Sequence, residues 1–145
     1  MSDNISLIPS MGISTSGLNA ENRRMEVIAN NIANANTSKG PDGRVFRRKE
    51  VIFAEKLSKA VGGKPGERKP GGVEVKGVVE NQTAVKRIYR PGHPDADKEG
   101  YVTMPDINPV EEMVSMMSSS RAYEANLAAI KAARGMAMKA LELAK

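Results

Sequence analysis

Apolar residues recur at seven-residue intervals at both ends of the chain. In the N-terminal part, the repeat and its neighbouring helical row consist of Met11, Leu18, Met25, Ile28 and Ile32. In the C-terminal part, the repeat and its flanking apolar positions are Met113, Met116, Tyr123, Leu127, Ile130 and Leu141. Such a stripe needs a partner helix, because a lone helix leaves its apolar face in water. The pattern therefore predicts two helices that pair with each other and with neighbouring subunits.

The first predicted helix covers about residues 11–35 and contains several weak helix formers. Pro9 marks its start, since proline is tolerated in the first helical turn. Gly12, Gly17 and several asparagines each cost up to about 1 kcal/mol relative to alanine inside a helix. Dense turn-forming residues at 37–43 end the helix. We therefore expect its stability to come from packing rather than from intrinsic propensity.

An asparagine-rich sequence, ANNIANANT, lies at the end of this helix. One interpretation is a fraying helix end with Asn36 near the C-cap. The other is that the amides of Asn30, Asn31 and Asn34 bridge neighbouring helices and fix their register, as a buried asparagine does in coiled coils. Four asparagines in seven positions beside an apolar stripe favour a register-specific interface.

The second predicted helix has stronger local signals. Asn108 is a candidate N-cap, Pro109 suits the first helical position, and Glu111 completes a capping box. Glu111 and Glu112 also place negative charge at the positive end of the helix dipole. Because no further proline occurs up to Leu143, the pattern predicts a rod of about 35 residues, roughly 50 Å long.

The middle of the chain, about residues 44–104, is predicted to be extended. Alternation at 73–79 indicates a strand with a bulge at Gly77, and a second strand is expected at 85–89. The stretch 60–72 holds five glycines and two prolines, which predicts a mobile loop.

The net charge of +5 lies in this middle part. Residues 1–36 carry a net charge of −1, residues 37–105 carry +6, and residues 106–145 are neutral. These segments define the predicted domains: an N-terminal helix, a basic Gly/Pro-rich β or extended middle, and a C-terminal helix. The predicted fold is mainly α with a small β-rich insertion, in which the terminal helices form an antiparallel coiled coil.

Composition narrows the function classes further. Two Phe, three Tyr and no Trp leave few large side chains to anchor a compact interior, whereas nine Met suit adaptable helix contacts. The absence of Cys excludes disulfides and thiolate metal sites. We find no apolar run near the roughly 20 residues that cross a bilayer, and we expect no cleavable signal peptide at the N-terminus.

Catalytic chemistry has little support. The single histidine, His93, lies near Asp95 and Asp97, but general acid–base catalysis also needs a positioned partner and substrate. A polar turn explains this string better than a hydrolase site does. We therefore expect no catalytic, cofactor-binding or metal-binding residues.

A basic cluster keeps one alternative function open. Arg44, Arg47, Arg48 and Lys49 lie close together beside Phe46, which suits a basic nucleic-acid-binding or regulatory coiled-coil protein. Single-strand recognition usually needs several aromatic platforms in a positive groove. The chain has few aromatic residues, so this alternative ranks second and we expect no nucleic-acid partner.

Both ends of the chain resemble a known family. GISTSGLNAENRRMEVIANNIANANTSKG resembles the N-terminal signature of bacterial flagellar axial proteins, and YRPGHPDADKEGYVTMPDINPVEEMVSMMSSSRAYEANLAAIKAARGMAMKALEL is similar to the C-terminal part of their proximal-rod members. The pairing of ANNIANANT with GYVTMPDINPVEEMV is specific to this family. The short middle also resembles a proximal-rod protein rather than the larger distal-rod or hook proteins.

The resemblance implies a structural subunit of the basal-body rod in the periplasm. It implies export through the flagellar type III apparatus without signal cleavage, and assembly into a helical tube that transmits torque and forms the export channel. The implied partners are copies of the chain, other rod proteins, ring and adaptor components, and the export apparatus. The terminal helices of such proteins are often disordered as monomers and pair in the tube.

Overall fold

The computed structural model describes residues 9–40, 42–59 and 68–143, which form two helices and two hairpins. The elements in chain order are α1 (Pro9–Ala33), β1 (Lys49–Lys59), β2 (Arg68–Glu80), β3 (Val85–Tyr89), β4 (Tyr101–Pro105) and α2 (Pro109–Leu143). The predicted order of helix, small β-rich middle and helix is confirmed.

Helix α2 has the predicted bounds because its N-terminus is capped locally. The side-chain oxygen of Asn108 accepts a hydrogen bond from the Val110 N–H at 3.1 Å, which satisfies a free donor of the first turn. The Asn108 amide also donates to Glu111 Oε1 at 3.0 Å. Glu111 thus contacts the side chain of the cap residue, whereas a standard capping box uses the backbone N–H.

Helix α1 ends two residues before the predicted Ala35. The backbone N–H of Asn34 donates to the Asn30 carbonyl at 3.2 Å, and the Asn34 side-chain amide donates to the same carbonyl at 2.8 Å. Asparagine side chains that bond the nearby backbone compete with helix continuation. The chain leaves α1 through a turn at residues 34–36.

The four strands form two separate antiparallel hairpins, β1–β2 and β3–β4. The register of the first hairpin shifts between Ile52, which pairs with Gly77, and Phe53, which pairs with Val75. The predicted bulge at this point is therefore confirmed. Strand β4 had no separate prediction; it alternates between exposed and buried residues at Tyr101, Val102, Thr103 and Met104.

The predicted loop at 60–72 is wrong for its last five residues, because β2 begins at Arg68. Pro70 pairs with Leu57, and a two-stranded hairpin has only edge strands, where proline is tolerated. Gly72 has a φ of +109°, a conformation open to glycine at little cost. The rest of the predicted loop, 60–67, lies outside the described residues.

One part of the core lies where α1 packs against α2 and against the first hairpin, and a second group of buried apolar residues lies in and beside the second hairpin. A Cβ added to Gly17 would lie 3.0 Å from the side-chain amide of Asn126, so the two helices approach closely at this point. The Val73 N–H donates to the Ser16 hydroxyl at 2.9 Å, which docks β2 on α1. The buried apolar residues are Ala20, Val27, Ile28, Ala35, Ala84, Val102, Met104, Ile107 and Ala133.

Candidate functional site

The end of α1, the start of β1 and the first turn of α2 meet at a buried cluster that we call the polar junction. It consists of the side chains of Asn31, Arg48 and Glu112 and the backbone of Lys49. Asn31 is 1% exposed and Glu112 is 2% exposed. Because buried polar groups are costly unless they are paired, each of their hydrogen bonds matters for the arrangement of the three elements.

Asn31 joins α1 to the first strand. Its side-chain NH₂ donates to the Lys49 carbonyl at 2.9 Å, and its side-chain oxygen accepts from the Lys49 N–H at 2.9 Å. The Asn31 amide thereby makes the pair of backbone hydrogen bonds to Lys49 that a neighbouring strand would otherwise make. The same NH₂ group also donates to Glu112 Oε2 at 3.0 Å, so one side chain fixes β1 and α2 relative to α1.

Glu112 has a donor on each carboxylate oxygen. Oε2 accepts from Asn31, and Oε1 accepts from Arg48 Nε at 2.7 Å. Desolvation lowers the pKa of Arg48, but the hydrogen bond and charge of Glu112, followed by those of Glu50, raise it above its usual value overall. The buried carboxylate is thus neutralised by a guanidinium that remains partly open to water, with 33% of its side chain exposed.

The two interpretations of the asparagine-rich sequence apply to different residues. Asn31 bridges α1 and α2 inside the molecule, whereas Asn34 bonds Asn30 and closes the helix end. Arg48 and Glu112 were not predicted to join this site. The available signal was a polar heptad on the second helix, in which Glu112, Ser119 and Asn126 follow one another at seven-residue intervals.

This polar heptad faces α1. Along α2, Glu112, Ser119 and Ala133 are the buried residues, and Asn126 lies against Gly17. Ser119 is fully buried, and its hydroxyl has no hydrogen-bond partner among the residues that the structure describes. The contact between the two helices within one chain is therefore rich in polar and small side chains.

The predicted assembly residues fall into three groups by exposure. Ile28 and Asn31 are buried. The half-buried members are Met11, Leu18, Met25, Ile32, Asn34, Met116, Tyr123 and Ile130. The exposed members are Asn30, Met113, Leu127 and Leu141. In a single chain, most of the apolar stripe residues are thus only partly covered or exposed, and their role in assembly stays a prediction.

Four exposed apolar residues form what we call the outer patch at the start of α2. Val110, Met113, Val114 and Met117 are 62%, 48%, 62% and 57% exposed. Residues at these spacings share one face of a helix. The patch is separate from the buried face of α2, which contains Glu112, so nothing in the described chain covers it.

His93 takes part in a turn. Its Nδ1 accepts a hydrogen bond from the Asp95 N–H at 3.1 Å. Asp95 in turn accepts from the Ser38 hydroxyl at 2.6 Å and pairs with Lys39 at 2.8 Å. The hydrogen bonds from Lys39 and then Ser38 lower the pKa of Asp95. These contacts attach the loop between β3 and β4 to the segment that follows α1.

Asp97 closes the same loop. Its Oδ1 accepts from the backbone N–H groups of Tyr101 at 2.8 Å and Glu99 at 3.0 Å. Arg87 donates to its Oδ2 at 2.6 Å. The pKa of Asp97 is lowered, mainly by the Tyr101 N–H and then by Arg87, against the opposing effect of desolvation. Within the described ranges, no group of three His, Cys, Asp or Glu residues could hold a metal ion.

Three of the four residues of the basic cluster make contacts within the chain. Arg47 donates to the Gln82 carbonyl at 2.8 Å, and Arg48 belongs to the polar junction. Lys49 lies 3.9 Å from Glu80 and 5.4 Å from the centre of the Phe46 ring. These three side chains therefore bind neighbouring parts of the same chain, whereas Arg44 is exposed. In the part of the chain described, neither helix has the length and apolar character needed to cross a membrane.

Comparison with known proteins places these features in a family. Residues 11–39 match the family described as flagella basal body rod protein, and residues 98–143 match the family described as flagellar basal body rod FlgEFG protein C-terminal. The two matches contain all but the first two residues of α1, together with the polar heptad, the outer patch and Asn31 and Glu112 of the polar junction.

Full-length relatives agree with these matches. The chain is 41% identical to the flagellar basal-body rod protein FlgC of Salmonella typhimurium, over 96% of this chain and 98% of the relative. It is 39% identical to FlgC of Borreliella burgdorferi and 38% identical to FlgC of Bacillus subtilis, in both cases over 94% of this chain and 97% of the relative. The chain therefore belongs to the flagellar basal-body rod proteins and is a structural, non-enzymatic subunit of that rod.

Proposed function

We propose that this subunit polymerises with other axial proteins into the helical tube of the rod, which transmits motor torque and encloses the export channel. The observation that carries the proposal is the exposure of apolar side chains along α2, of which the outer patch is the largest group at its start. Contiguous exposed apolar surface on a soluble protein usually marks an interaction site. Similarity to rod proteins along nearly the whole chain supports the same conclusion.

In the tube, α1 and α2 pair as an antiparallel coiled coil. Two contacts support this arrangement: Gly17 lies beside Asn126, and Asn31 bonds Glu112. From the first contact to the second, the position on α1 rises by fourteen residues while the position on α2 falls by fourteen. Two helices related in this way run antiparallel. Fourteen residues are two heptads, the repeat that keeps one face of a coiled coil in contact.

The three predicted segments have different roles in this proposal. Residues 1–36 and 106–145 build the tube, and residues 37–105 pack outward between subunits. The tube-building contacts use the half-buried stripe residues named above together with Met113, Leu127 and Leu141. The partners are copies of this chain, neighbouring rod proteins, and ring and adaptor components. Delivery to the periplasmic rod uses the flagellar export apparatus and leaves the N-terminus uncleaved.

Aspartate substitution in the apolar stripes tests the proposal. Leu18→Asp and Ile130→Asp place a charge at half-buried stripe positions, where burial of an unpaired carboxylate in the assembled tube is strongly unfavourable. We expect each variant to be missing from isolated basal bodies and the cells to lose swimming.

The matched controls are Asn19→Asp and Ala129→Asp, which change neighbouring exposed positions of the same helices. The control variants should assemble and support swimming, because their new carboxylates stay in water. Normal swimming and incorporation with Leu18→Asp and Ile130→Asp would sink the proposal.

A further inference from the structure

We propose that the outer patch binds the C-terminal end of α2 from a second copy of this chain. This inference rests on the assembly function proposed above and specifies which surfaces of two copies meet. The C-terminal end, residues 134–143, is called the projecting end below. The contact is head to tail, since the start of α2 in one copy holds the end of α2 in the next.

The projecting end extends past the part of α1 that the structure describes. Helix α1 begins at Pro9, and the contact between Gly17 and Asn126 aligns this first residue with position 134 of α2. Beyond that position, the described part of α1 offers no further residue to cover the face of α2.

The large apolar side chains of the projecting end are highly exposed. Ala133 is 7% exposed, whereas Met136, Met138, Leu141 and Leu143 are 67%, 53%, 65% and 89% exposed. Methionine side chains adapt to irregular surfaces, so this end is suited to pack on the methionines and valines of the outer patch. Both surfaces are apolar, and both are helical.

The charges of the two halves of α2 are complementary. The exposed charges of residues 109–126 are Glu111, Arg121 and Glu124, with a net charge of −1. Those of residues 127–143 are Lys131, Arg134, Lys139 and Glu142, with a net charge of +2. The described residues supply no ion pair to any of these seven side chains, whereas the buried Glu112 pairs with Arg48. The charges are therefore available to a neighbouring copy.

A second copy fits better in a head-to-tail contact than in a symmetric one. A symmetric contact joins the outer patches of two copies, brings the Glu111 side chains of both copies close together, and closes a dimer. Docking the projecting end on the outer patch pairs opposite charges and leaves a free patch and a free end for further copies. Such heterologous contacts propagate as open helical polymers when the rotation does not close a ring. Val114 and Met138 are 24 residues apart, which sets an offset of about 36 Å along the helix.

Cysteine crosslinking tests this contact directly, because the chain has no cysteine of its own. Val114→Cys and Met138→Cys are produced in separate, differently tagged copies of the full chain in the same cells, so that a disulfide between the two positions must join two molecules. Basal bodies are isolated after mild oxidation. The matched control replaces Met138→Cys with Val79→Cys, an apolar position of similar exposure (45%) on the first hairpin.

We expect the 114–138 adduct to exceed the 114–79 adduct about tenfold, since disulfides form only between nearby Cβ atoms. An adduct no stronger than the control overturns the inference, and so does a dominant 114–114 product or attachment of Val114→Cys to a different rod protein. The amount of tagged chain in the same basal bodies, identified by its molecular mass, shows whether the chain was incorporated. Incorporation without the 114–138 adduct therefore rejects the contact and leaves the assembly function standing.

Charge reversal gives a second measurement on the same contact. Glu111→Lys and Arg134→Glu should each lower the yield of the 114–138 adduct, because the same offset of 24 residues places Glu111 beside Arg134 of the next copy. Both changes in one chain should restore it, because each copy then presents the reversed pair to its neighbour. Failure of the double reversal to recover the yield contradicts the proposed pairing of the two ends of α2.

Discussion

Replacing the buried carboxylate of the polar junction should destabilise the chain out of proportion to the size of the change. Glu112→Gln keeps the shape of the side chain and one acceptor oxygen, but the other oxygen becomes an NH₂ group. Both neighbours of the carboxylate, Arg48 and Asn31, are hydrogen-bond donors. The glutamine amide can therefore accept from one of them only, and it places a donor against the other.

The magnitude follows from the hydrogen bond that is lost. A hydrogen bond to a charged group contributes about 1.5–3 kcal/mol, and a buried donor left without an acceptor costs a similar amount. One third of the Arg48 side chain is exposed, so water compensates part of the loss there. We therefore expect the free energy of unfolding to fall by about 2 kcal/mol.

The neighbouring Glu111→Gln is the matched control. Glu111 is exposed, and glutamine retains the oxygen that accepts from Asn108. Both variants remove one negative charge from the first turn of α2, so each loses about 0.3–1 kcal/mol of favourable interaction with the helix dipole. The difference between the two variants isolates the polar junction.

The assay is urea unfolding of the purified full-length chain, followed by circular dichroism at the helical band. Equal slopes with a lower midpoint for Glu112→Gln than for Glu111→Gln give the predicted difference. A difference below about 0.5 kcal/mol, the range of ordinary surface substitutions, refutes the view that Glu112 is held by two donors. A third variant, Asn31→Ala, should remove most of the extra cost of Glu112→Gln in a double-mutant cycle.

Two further predictions concern the hairpins. Gly72→Ala should destabilise the chain by more than about 1 kcal/mol in the same urea assay, because alanine is strained in the left-handed region and its Cβ would clash with the Ser16 hydroxyl. The control Gly77→Ala should change stability less, since its added Cβ meets no described atom within 4 Å. Equal effects of the two substitutions would contradict this prediction. The lowered pKa of Asp97 means that its stabilising contacts are present at neutral pH and are lost only as the pH falls through a value below the ordinary 3.8. The exchange rate of the Tyr101 amide hydrogen, divided by the rate of an unprotected amide at the same pH, should therefore stay constant down to about pH 4. Loss of this protection at a higher pH would contradict the lowered pKa of Asp97.

Local signals were sufficient to predict α2. Asn108, Pro109 and Glu111 determine its start by contacts within one turn, and the absence of later prolines allows it to continue to Leu143. The start of α1 at Pro9 was predicted on the same basis. Its end at Ala33 differed because a side-chain bond of Asn34 competes with the next helical turn.

The polar junction could not be predicted because its partners are distant in the sequence. Asn31 and Glu112 are separated by 81 residues, and Arg48 and Glu112 by 64. The run of basic residues at 47–49 suggests a basic surface as readily as an internal ion pair. Similarly, the proline and the two glycines at 68–72 resemble a loop until the pairing of Pro70 with Leu57 is known.

One face of α2 determines how α1 and α2 align, and the other supplies the apolar surface of the proposed contact between subunits. The face toward α1 carries Glu112, Ser119 and Asn126, and it gains little from removing apolar surface from water. A slip of one turn between the helices would leave the Glu112 carboxylate buried without Arg48 and Asn31, at a cost of several kcal/mol. The polar face therefore fixes the alignment of the two helices, as polar positions do in coiled coils. The apolar outer patch stays exposed in the described chain, and a chain that buried it against its own α1 would be more stable alone but would have less surface with which to join a polymer.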